Sequence, residues 1–166
     1  MSDRRATPKV IDLIELFIMA TKFFKCETCG NVVVKFVDSG VVPFCCGDEM
    51  TELKSGSTDG KFEYHLPVVE QLDDCKVKVR IGAEPHPMTD EHHIMFIYIE
   101  TKKGGQLRYL KPGDKPEAVF VCKEKLLSVY AYCNKHGLWR TDVDADCKLE
   151  NRSCKSDSDR QCCFFG

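Results

Sequence analysis

The stretch AYCNKHGLW at 131–139 sets Cys133 three positions ahead of His136, with the only tryptophan of the chain, Trp139, just beyond. A thiol and an imidazole at this spacing can be two ligands of one metal, or a nucleophile and its base. The nucleophile reading needs a third group to orient the base, and it leaves the other histidines without a task. Those are His65 in FEYHLPV, His86 and His92 in EPHPMTDEHH, and His93 beside them. Taken singly, each is more often an ordinary histidine than a ligand. Together they form a pattern. His86 stands between Pro85 and Pro87, which stiffen its backbone and narrow the direction of its ring. His92 follows six positions later, at the edge of a strand-like run. Four imidazoles and one thiolate make an electron-rich iron site with one position open for a ligand. The metal reading uses His65, His86, His92, Cys133 and His136 together, and it is the better account.

A second cluster sits earlier in the chain. Cys26 and Cys29 form a C-x-x-C, and Cys45 and Cys46 stand side by side 16 and 17 positions after Cys29. Two thiolates from a tight turn and two from a second loop close a tetrahedral site for zinc or iron. Gly30 and Gly47 each follow a pair and supply the open backbone that such knuckles need. Adjacent cysteines on one metal demand a strained backbone, because successive side chains of a strand point to opposite sides.

The elements that position these residues are short. CKVKVRI (75–81) alternates strictly, with Cys75, Val77, Val79 and Ile81 on one face. NVVVKFV (31–37), HIMFIYIE (93–100), LRYL (107–110), AVFVC (118–122) and LLSVYAY (126–132) also read as strands. KKGGQ and KPGD are the turns between them, and LLSVYAY is the last strong strand. The pattern predicts an all-β, antiparallel β-sandwich. SGSTDG (55–60) reads as a linker from a small cysteine-bearing domain. The expected organisation is therefore an N-terminal extension (1–20), a four-cysteine domain (21–57), a sandwich domain (58–142) and a polar, disordered tail (143–166). Ile11, Ile14, Phe17 and Ile18 can share one face of a short helix, or Met19 is the true start; both readings stay open.

Composition narrows the setting. With 43% apolar and 30% charged residues and a net charge of −2, nothing points to nucleic acid or a membrane surface as a partner. The apolar run VIDLIELFIMA carries Asp12 and Glu15, is too short to span a bilayer and does not suit a secretory signal. Eleven cysteines in a reducing, cytoplasmic compartment then point to metal more than to disulfides.

These blocks, in this order, resemble the desulfoferrodoxin family, the two-iron form of superoxide reductase. FKCETCGNVV and FCCGDEM resemble its desulforedoxin-like domain, which is rubredoxin-like in kind. EYHLPVVE, GAEPHPMTDEHHI, LKPGDKPEAVF and YCNKHGLW resemble its catalytic domain. The resemblance runs from about Lys22 to about Arg140 and implies an immunoglobulin-like sandwich. It makes His65, His86, His92 and His136 equatorial ligands and Cys133 the axial thiolate of a catalytic iron. Cys26, Cys29, Cys45 and Cys46 would hold a second iron. The implied reaction is one-electron reduction of superoxide to hydrogen peroxide, with an external donor such as rubredoxin or a reductase, in a homodimer. The family commonly places Glu-Lys before the first ligand histidine, whereas this chain has Glu63-Tyr64. Glu63 keeps the role of capping the oxidised iron, and Lys61 or the Tyr64 hydroxyl is the expected partial replacement for the lysine. His93 falls outside the motif and has a structural role.

Cys75 and Cys122 read as buried inert thiols, and Cys147, Cys154, Cys162 and Cys163 have no assigned part. The closing CFFG has the outline of a prenylation box, with a poor final residue and no polybasic run before it. Two alternatives to the enzyme remain: a rubredoxin-like electron carrier and a zinc-bearing interaction module.

Overall fold

A computed structural model describes residues 21–57, 60–73 and 76–143 of the chain. The helix expected near 11–18, Met19 as a start, Cys75, the tail cysteines and the CFFG box lie outside those residues, as does part of the expected linker. The chain divides into two compact units, one ending at Lys54 and one beginning at Ser55.

In the first unit, β1 (Lys22–Lys25) pairs antiparallel with both β2 (Val32–Lys35) and β5 (Thr51–Glu52), while β3 (Phe44–Cys45) pairs with β4 (Asp48–Glu49). Its core is small: Phe24, Cys26 and Met50, with Cys45 against them. Asp38 accepts from the ammonium groups of Lys22 and Lys35 and from the Gly40 N–H, which ties down the loop after β2.

The second unit is the predicted sandwich. One sheet has the order β10-β7-β6 and the other β12-β11-β8-β9, and every pairing is antiparallel. The strands are β6 (Pro67–Asp73), β7 (Lys76–Ile81), β8 (Ile94–Thr101), β9 (Gly104–Tyr109), β10 (Glu117–Val121), β11 (Leu126–Cys133) and β12 (Gly137–Asp142). A single helical turn, α1 (Phe62–His65), leads into β6 and is the only helix among the described residues. Alternation in β7 sends Val77, Val79 and Ile81 inward with no exposure at all. They meet Ile97, Ile99, Phe120, Val129 and Ala131 from both sheets. Burying each such side chain contributes roughly 1.5–3 kcal/mol.

β8 is buried on both faces, which is why it reads as an unbroken apolar run. Ile97 and Ile99 face the core, while Phe96 and Tyr98 sit opposite Tyr132 and Tyr130 of β11. The Phe96 and Tyr132 rings stack at 5.4 Å, and the Tyr130 hydroxyl donates to the Glu100 carboxylate at 3.1 Å. A register shift separates the pairs Tyr132–Phe96 and Cys133–Ile94, so Met95 is an extra residue in β8. This bulge re-phases the strand and turns Ile94 inward beside Cys133.

Three details differ from the sequence expectation. LLSVYAY is not the last strand, because GLWRTD forms β12 along it. Its adjacent buried Leu138 and Trp139 break the alternation that marks a half-buried strand. PVVEQLD forms β6, although only its first half is apolar. The glycines of KKGGQ belong to β9 rather than to the turn, since a Cβ at Gly105 would collide with the Tyr98 ring and hydroxyl. Gly105→Ala should therefore lower stability by about 1–3 kcal/mol. In urea denaturation this would appear as a lower midpoint with an unchanged slope.

Candidate metal centres

His65 ends α1, and its position is fixed by backbone contacts. The α1 turn is bonded to the turn after β7: the N–H groups of Ala83 and Glu84 both donate to the Glu63 carbonyl, and Gly82 N–H donates to the Leu66 carbonyl. Gly82 has φ +82, and a side chain there would also strike the Tyr64 carbonyl. This junction brings His86 beside His65, with both rings buried. Thr89 and His92 then exchange backbone hydrogen bonds, which curl the loop back and aim His92 at the same point. Cys133, wholly buried, ends β11, and His136 precedes β12.

The four rings form a four-sided ring in the order His65, His86, His92, His136. Neighbouring centroids lie 4.7, 4.6, 4.7 and 4.7 Å apart, with interplanar angles of 77°, 77°, 83° and 89°. The diagonal from His65 to His92 is 6.1 Å. One ligand atom from each imidazole and the Cys133 sulfur lie within 4.8 Å of one another. His65 Nε2 faces His136 Nδ1 at 2.8 Å, and that Nδ1 is 3.8 Å from Cys133 Sγ.

Tautomers are set from behind. His65 Nδ1–H donates to the Lys61 carbonyl at 2.8 Å, and His86 Nδ1–H donates to the Pro87 carbonyl at 2.6 Å. Each bond leaves Nε2 as a lone pair turned toward the centre, as a metal ligand requires. Nε2 of His86 and Nε2 of His92 are buried without a hydrogen-bond partner. Burial pushes His86 down to about 4, against the Pro87 carbonyl and helped by the neighbouring imidazoles. It lowers His65 and His92 as well. Burial also raises the Cys133 thiol, although the His136 N–H donates to its sulfur at 3.4 Å. Neutral imidazoles, orphaned lone pairs and a buried thiol whose ionisation a cation would favour fit a divalent transition metal.

Two residues around this centre have no assigned role in the sequence reading. Trp139, fully buried, stacks on His65 at 4.7 Å and 21°, and its Nε1–H donates to the His136 carbonyl at 3.1 Å. Gly60, read as linker, lies against the centre: a Cβ there would stand 2.7 Å from Trp139, 3.1 Å from His65 and 3.2 Å from His136. The signal for Trp139 was present, as a lone tryptophan three residues past a candidate ligand. Gly60 carried none. Of the three residues expected to assist the reaction, Lys61 meets the centre through its backbone carbonyl, and Lys61, Glu63 and Tyr64 are all exposed. His93 is half-buried and donates from Nδ1–H to the Thr89 carbonyl. Cys122 is buried against the core, where burial raises its thiol.

The first unit gathers the sulfurs of Cys26, Cys29, Cys45 and Cys46, again within 4.8 Å of one another. Gly30 and Gly47 take φ +76 and +93, the open geometry expected of them. Cys46 has φ 55 and is the one non-glycine residue with positive φ among the described residues. A left-handed residue lets adjacent side chains share one side, at a cost of roughly 1–3 kcal/mol. Backbone N–H groups, Cys29 first, lower the Cys26 thiol to about 7. The surrounding sulfurs, Cys29 foremost, push Cys46 up to about 12. One thiolate forms easily and the last is resisted, so full ionisation calls for a cation at the centre.

Among the described residues no helix is long and apolar enough to cross a membrane. The family model for desulfoferrodoxin matches residues 57–142. Desulfoferrodoxin of Nitratidesulfovibrio vulgaris is 37% identical over 122 residues, covering 74% of this chain and 96% of that protein. Superoxide reductase of Pyrococcus abyssi is 39% identical over 112 residues, covering 57% of this chain and 96% of that protein. The crystal structure of the superoxide reductase from Treponema pallidum aligns with a TM-score of 0.62 and 31% identity, covering 74% of this chain and 99% of that one. By the family match and by relatives covered almost end to end, this chain belongs to the desulfoferrodoxin family.

Proposed function

We propose that this chain is a superoxide reductase, converting superoxide to hydrogen peroxide by one-electron reduction without forming oxygen. The four-sided ring of His65, His86, His92 and His136, with the Cys133 sulfur in the same cluster, carries the reading. The relatives and the solved structure named superoxide reductase support it. In this reading those five residues hold one iron, and Cys26, Cys29, Cys45 and Cys46 hold a second. Bound in its ferrous state, the first iron supplies the electron that, with two protons, turns superoxide into hydrogen peroxide.

The chain's own part is charge, orientation and access. Four neutral imidazoles and one thiolate bring a single negative charge to a divalent ion, so the donor set leaves the centre attractive to an anion. The His136 N–H on the Cys133 sulfur favours the thiolate form. Lys61, Glu63 and Tyr64 lie exposed on and before the turn that ends at His65. Glu63 would cap the oxidised centre, and the Lys61 ammonium or the Tyr64 hydroxyl would partly take over attraction of superoxide. A rubredoxin or a reductase returns the electron, and the setting and assembly that accompany this reading are cytoplasmic and homodimeric.

Anaerobically purified protein should contain two irons per chain and, after mild oxidation, show a thiolate-to-ferric band. Cys133→Ala should remove that band and superoxide consumption together. Zinc in both centres, or iron confined to the four cysteines, would return the assignment to an electron carrier or an interaction module. Cys46→Ser should release the second iron while superoxide is still consumed; loss of both would tie the two centres into one function. If the Lys61 ammonium has this role, Lys61→Ala should slow the reaction with superoxide and flatten its dependence on salt; if the Tyr64 hydroxyl has it, Tyr64→Phe should slow the reaction and leave the salt slope in place. A rate and salt slope unmoved by both changes would remove these side chains from the role.

A further inference from the structure

Asn134 is bonded to both chain neighbours of His92. It follows Cys133, and its hydrogen bonds reach to the opposite loop of the centre. Its backbone N–H donates to the His93 carbonyl at 3.1 Å. Its side-chain Oδ1 accepts from the His93 N–H at 3.0 Å, and its Nδ2 donates to the Glu91 carbonyl at 3.2 Å. Glu91 and His93 are the two neighbours of His92 in the chain. Three bonds therefore straddle one imidazole ligand, and all of them come from the residue next to the thiol ligand.

The chemistry of the side chain matters here. A carboxamide offers an acceptor and a donor on separate atoms at this reach; a carboxylate accepts without donating, and a methyl group does neither. Asn134 is exposed, so its place is not explained by burial in the core. The β8–β11 ladder sets Ile94 opposite Cys133, and the Asn134 bonds carry that tie onward to both chain neighbours of His92.

We propose that Asn134 is a positioning residue that fixes His92 relative to Cys133 and so tunes the metal held between them, an inference that rests on the superoxide reductase reading of this centre. It touches neither metal nor substrate. It acts by holding the angle and separation of an imidazole and a thiolate donor. Outer partners of this kind govern both how tightly a metal is held and its electronic properties.

The test uses the full chain, anaerobically loaded with iron, as wild type, Asn134→Ala and Asn134→Asp. Three readouts are compared: the energy of the thiolate-to-ferric band, the reduction potential, and iron retention against a competing chelator. Asn134→Ala should keep the strand-rich circular dichroism, shift the band and the potential, and hold iron roughly 10- to 100-fold less tightly. Asn134→Asp keeps the acceptor and loses the donor, so it should fall between. A band, potential and retention equal to wild type in folded Asn134→Ala would overturn the proposal. Should that variant fail to fold, Asn134→Asp decides by the same three readouts. Failure of the underlying reading looks different, because the wild type itself would then lack a band that Cys133→Ala abolishes.

Discussion

Convergent lone pairs are the constraint on which the second unit depends. Nε2 of His86 and Nε2 of His92 are buried without a hydrogen-bond partner, each at a cost of about 1–3 kcal/mol. Two more imidazole nitrogens and a sulfur crowd the same space. Such a group of acceptors is unfavourable on its own and favourable around a cation, so the surroundings hold the rings in place. Carbonyls of Lys61 and Pro87 fix two tautomers, Trp139 covers His65, and Gly60 leaves the room that this packing needs.

The first unit solves a similar problem with thiols and far less core. A three-residue core cluster and strands of two to four residues do not dictate where four sulfurs point. Left-handed backbone at Gly30, Cys46 and Gly47 shapes the two turns that do, and the strain at Cys46 is tolerable if four thiolates share one cation. The two candidate centres thus differ in what presents their donor atoms: a packed sandwich rim in one, two tight turns in the other.

Much of this was legible in residue types. The alternation of β7 marked a sandwich face, and its inward residues are the core. His86, between its prolines, forms one cluster with His65, His92, Cys133 and His136, and the paired cysteines form another. What the sequence hid has a common cause. Gly60 counts through the space it leaves, and the Asn134 carboxamide through bonds to the backbone of a distant loop; neither residue type advertises that. β12 was missed because Leu138 and Trp139 are both buried, which erases the period of a half-buried strand. The glycines of β9 looked like a turn, since nothing local shows that the Tyr98 ring lies across one of them.

The extra residue in β8 has a wider consequence. Met95 is itself exposed, and many side chains would serve there. The position counts because it shifts the phase of everything before it, placing Ile94 beside Cys133 ahead of the His92 loop. At this point the gene would tolerate changes of letter far better than a lost codon. Among family members, length between the third histidine of this cluster and the central strand should accordingly be held more firmly than the identity of its residues.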